Sequence, residues 1–307
     1  MANRTQGAVG TIAALWRFPV KSMQGERLQE LRVTRAGVLG DRAYALIDEE
    51  TGKVVSAKSA RLFPDLLQCK AAFVEAPEPG AIPPPVEIFL PTGLSVRSDA
   101  ANIGKVLSDH FGRPLKLARV APDDFTIDHY HPDIEGADPG GNRDKVVVQK
   151  LGAAVFSALG MPSPVPEGSF LDAFPLSMMT TSTLEKLNEV APKSRFDERR
   201  FRMNVIVDTP ETGFVENNWI GREFALGASV RVNVAMPGPR CVMTTLAQEE
   251  LPKDLEILKS LVRFNSQDVA GAGQYPCAGA YAVVIGEGGI RVGENMLFAS
   301  LTSMTQK

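Results

Sequence analysis

Short apolar stretches of strand length, interrupted by turn residues, set the strongest limit on how this chain can fold. The sequence has 27 glycines and 22 prolines among 307 residues, and these residue types mark turns and loops. Apolar and polar positions alternate across residues 27–55, with a turn at 49–53, and a second hairpin joins residues 86–90 to 94–97. This alternation predicts antiparallel β-structure.

Three segments instead carry apolar residues at helical spacing. They are residues 103–111, a stretch that starts with the capping-box pair Ser182 and Glu185, and residues 253–264. Further strands are predicted at residues 115–120, 204–208, 223–226, 230–234, 281–285 and 290–292. Because no repeat and no parallel strand–helix–strand unit is recognisable, we predict a mainly β chain with some helices (α+β), built as one or more closed or partly closed β-barrels.

A polar segment rich in glycine, proline and aspartate divides the chain at residues 121–145. Such composition is typical of a connection between domains. We therefore predict an N-terminal β-barrel-like domain over residues 1–120, a connection over 121–145, and a second β-barrel domain with peripheral helices over 146–307.

Charge and cysteine content exclude several classes of function. A formal net charge of −3 and a pI near 5.8 give no general attraction to nucleic acid, so an anionic ligand needs a local basic pocket. No apolar run is long enough to cross a membrane, and no signal peptide is recognisable. Three cysteines make neither a secreted disulfide framework nor the usual set of iron–sulfur ligands. We expect a cytoplasmic protein with reduced thiols.

Several familiar motifs carry little weight here. The glycine-containing segments 37–42 and 271–274 lack the spacing of a dinucleotide fingerprint and the lysine of a phosphate loop. His129 and His131 could hold a divalent metal, but a solvated polar loop is the better interpretation because no other cysteine or histidine lies nearby in the sequence. His110 is predicted to be a half-buried packing residue on a helix.

Cys241 differs from the other two cysteines in its setting. It ends the segment PGPRC at residues 237–241, a rigid turn that places Arg240 beside the thiol. A neighbouring cation favours the thiolate, the form that binds soft transition metals. Cys69 is predicted to be a small core residue, and Cys277 is either a core residue or one that lies behind the site.

Six separated segments carry a family resemblance. They are FPVKS at 18–22, GDRAYALID at 40–48, FRMNVIVD at 201–208, FVENNWIG at 214–221, GPRCVMTT at 238–245 and GGIRVGE at 288–294. In order and spacing they resemble MOSC proteins that carry a β-barrel N-terminal domain, a group that includes the mitochondrial amidoxime-reducing component and bacterial relatives. The resemblance runs from about residue 12 to residue 292.

The resemblance implies a molybdenum cofactor of the molybdopterin type, with Cys241 as the thiolate ligand of the metal and a catalytic residue. It also implies cofactor contacts by Lys21, Ser22, Arg42, Thr180, Thr181, Arg202, Asn204 and Arg240. Cations suit such a ligand because the pterin carries a phosphate, although each could also be a solvated surface residue. Trp219 is then a core residue and Glu216 a structural acceptor. Pro239 stands where amidoxime reducers have serine, which removes a hydroxyl near the metal.

By the same resemblance, the chain is an oxidoreductase that reduces small N-hydroxylated compounds. No ferredoxin-like extension follows, so electrons would come from a separate ferredoxin-, flavodoxin- or cytochrome-type protein. Two alternatives stay open: a sulfur carrier with a persulfide on Cys241, and a non-catalytic cofactor carrier. Pyridoxal phosphate binding is only a family-level association, because 307 residues leave no room for the aminotransferase-like domain of cofactor sulfurases.

Overall fold

A computed structural model describes residues 7–158 and 160–299. The strands in chain order are β1 Ala8–Arg17, β2 Glu26–Leu28, β3 Glu30–Thr34, β4 Gly37–Val38, β5 Ala45–Asp48, β6 Lys70–Phe73, β7 Val86–Phe89, β8 Ser95–Arg97, β9 Leu115–Ala118, β10 Thr126–His131, β11 Lys145–Lys150, β12 Leu176–Thr180, β13 Val205–Asp208, β14 Glu223–Leu226, β15 Val230–Pro239, β16 Ser266–Asp268, β17 Gln274–Gly286, β18 Gly288–Arg291 and β19 Asn295–Phe298. The α-helices are α1 Ile103–Phe111, α2 Ala153–Ala158, α3 Thr181–Val190 and α4 Glu256–Phe264. Short 3₁₀ turns cover Leu66–Gln68, Glu198–Arg200, Val215–Trp219 and Val242–Thr245.

Seven strands close into a barrel in the order β12, β13, β1, β19, β14, β15, β17 and back to β12. All neighbours are antiparallel except β12 and β13. Alternate side chains point inward, so Val230, Val232 and Val234 of β15 are fully buried with Val205 and Val207 of β13. The predicted mainly β fold with a closed barrel is confirmed.

A second β-unit packs beside the barrel. It contains the sheet β6–β7–β8, the pair β5–β9 and helix α1, around a core that includes Tyr44, Leu66 and Ile88. Val242 and Leu246 are buried in this same core. The segment that follows β15 therefore joins the two units, and it places the turn around Cys241 at their junction.

The first strand does not stay with the rest of the N-terminal region. β1 pairs with β13 on one side and with β19 on the other, so it is an integral strand of the barrel. The domain boundaries 1–120, 121–145 and 146–307 stay a prediction.

The segment 121–145 is not merely the polar loop that its composition indicates. It contains β10, which pairs along its whole length with β11. The strand was missed because two of the three residues on its inward face are histidines: Ile127, His129 and His131 alternate with outward residues, and a polar inward face hides the usual pattern.

One local detail corrects the sequence prediction. Helix α3 is capped by Thr180, whose hydroxyl oxygen accepts from the Thr183 backbone amide, and Ser182 is the second residue of the helix. Helix α1 coincides with the predicted segment 103–111 and is followed by Gly112, which has a left-handed φ of 66°. Among the described residues, no helix has the length and apolar character needed to cross a bilayer.

Candidate functional site

A cavity of about 280 Å³ lies where the barrel meets the second unit. Most of the residues that the sequence nominated line it together: Lys21, Ser22, Arg42, Arg202, Asn204, Arg240 and Cys241. They come from separate parts of the chain. Lys21 and Ser22 follow β1, and Arg42 precedes β5. Arg202 and Asn204 precede β13, and Arg240 and Cys241 follow β15. The fold therefore assembles one site from four distant segments.

The cavity carries a marked excess of positive charge. Its lining includes six cations and two carboxylates: Lys21, Lys58, Arg42, Arg200, Arg202, Arg240, Asp138 and Asp172. The chain as a whole has a formal charge of −3. A local basic pocket in an acidic protein indicates an anionic ligand.

Two arginines lie against the same aromatic ring. The guanidinium carbons of Arg42 and Arg202 are 4.6 Å and 4.3 Å from the centre of the Phe18 ring, within cation–π range. Burial lowers the pKa of Arg202 to about 9, and the positive charge of Arg42 adds to this effect. Like charges held this close are stabilised when an anion binds between them.

Three of the nominated residues adopt a left-handed backbone. The φ angles are 65° at Ser22, 49° at Arg42 and 55° at Arg202. Each such residue costs on the order of 1–3 kcal/mol unless it is glycine. Backbone strain of this kind is concentrated at functional sites, and here it falls on three residues that line one cavity.

Lys58 and Asp172 belong to the site but were not found from the sequence. Asp172 accepts hydrogen bonds from both Lys21 and Lys58, the latter at 2.7 Å from Nζ to Oδ2, and it keeps 40% of its side-chain surface accessible. The two lysines outweigh the effect of burial and hold the pKa of Asp172 well below its ordinary value. Lone charged residues outside a motif gave no sequence signal.

Arg240 offers an unsatisfied donor. Its Nε donates to the Gly238 carbonyl at 2.9 Å and its Nη1 to the Phe201 carbonyl at 3.0 Å. Its Nη2 is buried and has no hydrogen-bond partner among the described residues. Because a buried unpaired donor of a charged group is costly, this atom suits a ligand that supplies an acceptor.

Cys241 is the one cysteine of the three that is not buried. Burial lowers the pKa of the Lys58 ammonium, but the charge of Asp172 outweighs it and raises that pKa. Lys58 thus stays a cation in the cavity that Cys241 also lines. Cys69 and Cys277 are fully buried, and burial raises the pKa of their thiols to about 12 and about 11, which makes both poor thiolates.

Asn204 lines the cavity, but both atoms of its side-chain amide are hydrogen-bonded to other residues of the protein. Its Oδ1 accepts from the Ser177 hydroxyl at 2.8 Å, and its Nδ2 donates to Asp41 Oδ2 at 3.0 Å. Asp41 in turn accepts from Arg42. Asn204 therefore supports the position of the Arg42 guanidinium more directly than it offers free groups of its own.

Thr180 and Thr181 lie outside this cavity, so the structure does not bring them together with the other nominated residues. Thr180 is fully buried and donates to Glu216 Oε2 at 2.7 Å, while Thr181 donates to Asp208 Oδ1 at 2.8 Å. Neither residue lines the cavity. Their hydroxyls serve the start of α3, and Glu216 is the structural acceptor that the sequence predicted.

His129 and His131 line the cavity, so their interpretation as a solvated loop was wrong. His129 is 8% exposed, and the two ring centres are 4.1 Å apart. No group of three or more metal-ligating side chains occurs in the described part of the chain, which gives the metal interpretation no support.

These features define a β-barrel protein with a cationic, thiol-containing cavity for an anionic ligand. The chain belongs to the family in which a MOSC N-terminal beta barrel domain, matched at residues 9–80, precedes a MOSC domain, matched at residues 166–297. This membership supports a role connected with molybdenum cofactor.

Curated relatives are similar over nearly the whole chain. Mitochondrial amidoxime-reducing component 1 of Mus musculus is 25% identical over 304 residues, which cover 93% of this chain and 81% of that protein. Mitochondrial amidoxime reducing component 2 of Homo sapiens is 25% identical over 311 residues, covering 93% and 82%. Among solved structures, the YUAD protein from Bacillus subtilis has a TM-score of 0.41 at 10% identity and 94% coverage of both chains.

The residues of the cavity fit the cofactor that the family implies. A soft sulfur ligand at Cys241, the unpartnered Nη2 of Arg240 and the paired guanidiniums of Arg42 and Arg202 match a metal and an anionic phosphate.

Proposed function

We propose that this chain binds molybdenum cofactor in the cavity and reduces N-hydroxylated compounds. The observation that supports the proposal is that one cation-rich cavity is lined both by Cys241, a partly accessible cysteine, and by Arg240, whose Nη2 has no hydrogen-bond partner among the described residues. The curated relatives named as amidoxime-reducing components support the choice of substrate class.

In this proposal Cys241 is the protein ligand of the metal, and Arg42, Arg202 and Lys21 hold the cofactor's phosphate. The arginines bind a phosphate through paired hydrogen bonds, whereas lysine acts as a point charge. The rings and carbonyls around them fix their direction before the cofactor arrives, which lowers the entropy lost on binding.

When bound, the molybdenum centre would supply the two-electron chemistry that breaks the N–O bond. Two electrons and two protons convert the N-hydroxylated compound into the reduced nitrogen compound and water. Lys58 keeps its proton and adds a positive charge to the cavity that Cys241 lines. The electrons come from a separate ferredoxin-, flavodoxin- or cytochrome-type protein.

The experiment compares wild-type protein with Cys241→Ala, both produced in a host that makes the cofactor. Wild type should contain about one molybdenum per chain and reduce an amidoxime with an artificial electron donor, and Cys241→Ala should not reduce it. Cys69→Ala is the matched control, because that thiol lies in the second core and not at the cavity. Reduction that survives in Cys241→Ala would contradict the proposed role of the sulfur.

A sulfur carrier is the second candidate, because Cys241 is the accessible thiol and has a cation beside it. A persulfide there would add one sulfur to the intact mass, removable by reductant, whereas bound cofactor brings metal. A non-catalytic cofactor carrier would contain molybdenum without turnover. The cytoplasmic location and the boundaries of the two domains also remain proposals.

A further inference from the structure

The hairpin β10–β11 brings two histidines to the wall of the cavity that contains Cys241. His129 and His131 are two residues apart and lie on the same face of β10. The centres of their rings are 4.1 Å apart, at an interplanar angle of 35°. Both line the cavity together with Gln149 from the paired strand β11. The proposed cofactor contacts do not use either imidazole.

The side-chain hydrogen bond of His129 indicates which ring nitrogen is available to a ligand. Its Nδ1 lies 2.8 Å from Gln149 Oε1, an oxygen that can only accept, so Nδ1 carries the hydrogen. Nε2 then keeps its lone pair and has no partner in the described part of the chain. For His131, Asp138 Oδ2 lies 3.7 Å from Nδ1, and this carboxylate favours the same tautomer.

Both imidazoles are neutral near pH 7. Burial lowers the pKa of His129 to about 3, and the positive charge of Lys58 contributes. Burial also lowers the pKa of His131, against the attraction of Asp138 and with the help of Lys58. The pair therefore presents two hydrogen-bond acceptors, and no donors, on its Nε2 atoms.

The lining of the same cavity also includes flat aromatic rings. The rings of Phe174 and Tyr281 stack 5.7 Å apart at 10°, and Tyr275 lies on the same cavity. A small planar ligand fits such a wall, and the acceptors then decide its orientation.

We infer that His129 and His131 are positioning residues that accept hydrogen bonds from the hydroxyl and amino hydrogens of an N-hydroxylated substrate. This inference rests on the proposed function and adds how the site selects its substrate. A compound with an N–OH group satisfies the acceptors, whereas an N-oxide has only an acceptor oxygen and leaves the two Nε2 lone pairs unpaired once it displaces water from them. The site should discriminate between the two because an acceptor that loses water without gaining a donor weakens binding.

The test is calorimetric binding without an electron donor, using protein from a host that makes the cofactor. The probes are benzamidoxime, which carries N–OH and N–H donors, and pyridine N-oxide, which carries none. The variants His129→Phe and His131→Phe keep a flat ring but lose the acceptor nitrogen. His131→Gln restores an acceptor oxygen, and His110→Phe is the matched control because His110 packs on α1 against Phe111, away from the cavity.

Wild type and His110→Phe should bind benzamidoxime about tenfold or more tightly than pyridine N-oxide, since each hydrogen bond contributes roughly two- to tenfold in affinity. Each phenylalanine variant should lower the affinity for benzamidoxime roughly two- to tenfold and leave the affinity for pyridine N-oxide unchanged. His131→Gln should recover part of the lost affinity.

Three results would overturn the inference: no preference in wild type, benzamidoxime affinity unchanged in both phenylalanine variants, or an equal loss for both probes. The last result would mean that the histidines serve only the fold. If the histidine-dependent preference is found but loaded protein does not reduce amidoximes, the proposed function fails while the binding role stands.

Discussion

Arg200 holds the segment that follows Cys241, and its removal should be severely destabilising. The side chain is 1% exposed and donates to four backbone carbonyls, with Nε 3.0 Å from that of Arg195, Nη1 3.3 and 3.2 Å from those of Thr244 and Leu246, and Nη2 2.9 Å from that of Pro252. The Thr244 carbonyl belongs to the 3₁₀ turn that follows Cys241, and the Leu246 carbonyl comes directly after that turn.

Arg200→Met removes the donors and leaves the carbonyls buried. A charged hydrogen bond is worth about 1.5–3 kcal/mol, but the loss of a costly buried charge offsets part of the total. We expect the free energy of unfolding to fall by about 3–5 kcal/mol, measured by urea denaturation of the cofactor-free protein. Arg195→Met is the control, because that side chain is 58% exposed and its ion pairs should contribute about 1 kcal/mol or less.

A released turn should also expose the sulfur. The rate at which Cys241 reacts with a thiol reagent should therefore rise in Arg200→Met and stay unchanged in Arg195→Met. The reasoning is refuted if Arg200→Met costs no more than the control, or if the reactivity of Cys241 is the same in both variants.

Three further predictions follow from buried groups. Burial lowers the pKa of folded His129 to about 3 from the ordinary histidine value of 6.5, so only the unfolded chain takes up the proton between these pH values. Wild type should therefore lose up to about 1.4 kcal/mol per pH unit on acidification below pH 6.5 relative to His129→Gln, measured by urea denaturation, and equal slopes would contradict the assignment. Glu216→Ala leaves two threonine hydroxyls and one backbone amide without their acceptor and should cost about 3 kcal/mol or more in chemical denaturation, so a loss below about 1 kcal/mol would argue against that network. Gly279→Ala places a Cβ 2.6 Å from the Met178 carbonyl oxygen at a φ of 74°, whereas Gly293→Ala at a φ of 90° meets open space; thermal unfolding should show a clearly larger loss for the first, beyond the roughly 1–2 kcal/mol of backbone strain that both share.

Four of the seven barrel strands were predicted from the sequence, but the order in which the strands pair was not. The predicted segments 204–208, 223–226, 230–234 and 281–285 correspond to β13, β14, β15 and part of β17, whereas β1, β12 and β19 were missed. The pairing of β1 with β13 and β19 joins residues nearly 200 and 300 positions apart. A local pattern carries no information about such contacts.

Some residues of the site could be predicted from the sequence and others could not. Segments with a motif gave Arg42, Arg202 and Cys241, which the fold brings to one cavity. Lys58 and Asp172 lie in segments without a motif and become visible only as an ion pair in three dimensions.

The histidines were misread because a strand with a polar inward face resembles a loop. The resemblance nominated the two threonines at the start of α3, but Thr180 caps its own helix. Thr181 is likewise engaged, by Asp208.

X-ray absorption at the molybdenum edge tests the central claim most directly, because it counts the sulfur atoms around the metal. In protein purified from a host that makes the cofactor, Cys241→Ser should lower this count by one while Cys69→Ser leaves it unchanged. An identical count in wild type and Cys241→Ser, or the absence of molybdenum from the purified wild type, would contradict the claim that this sulfur binds the metal.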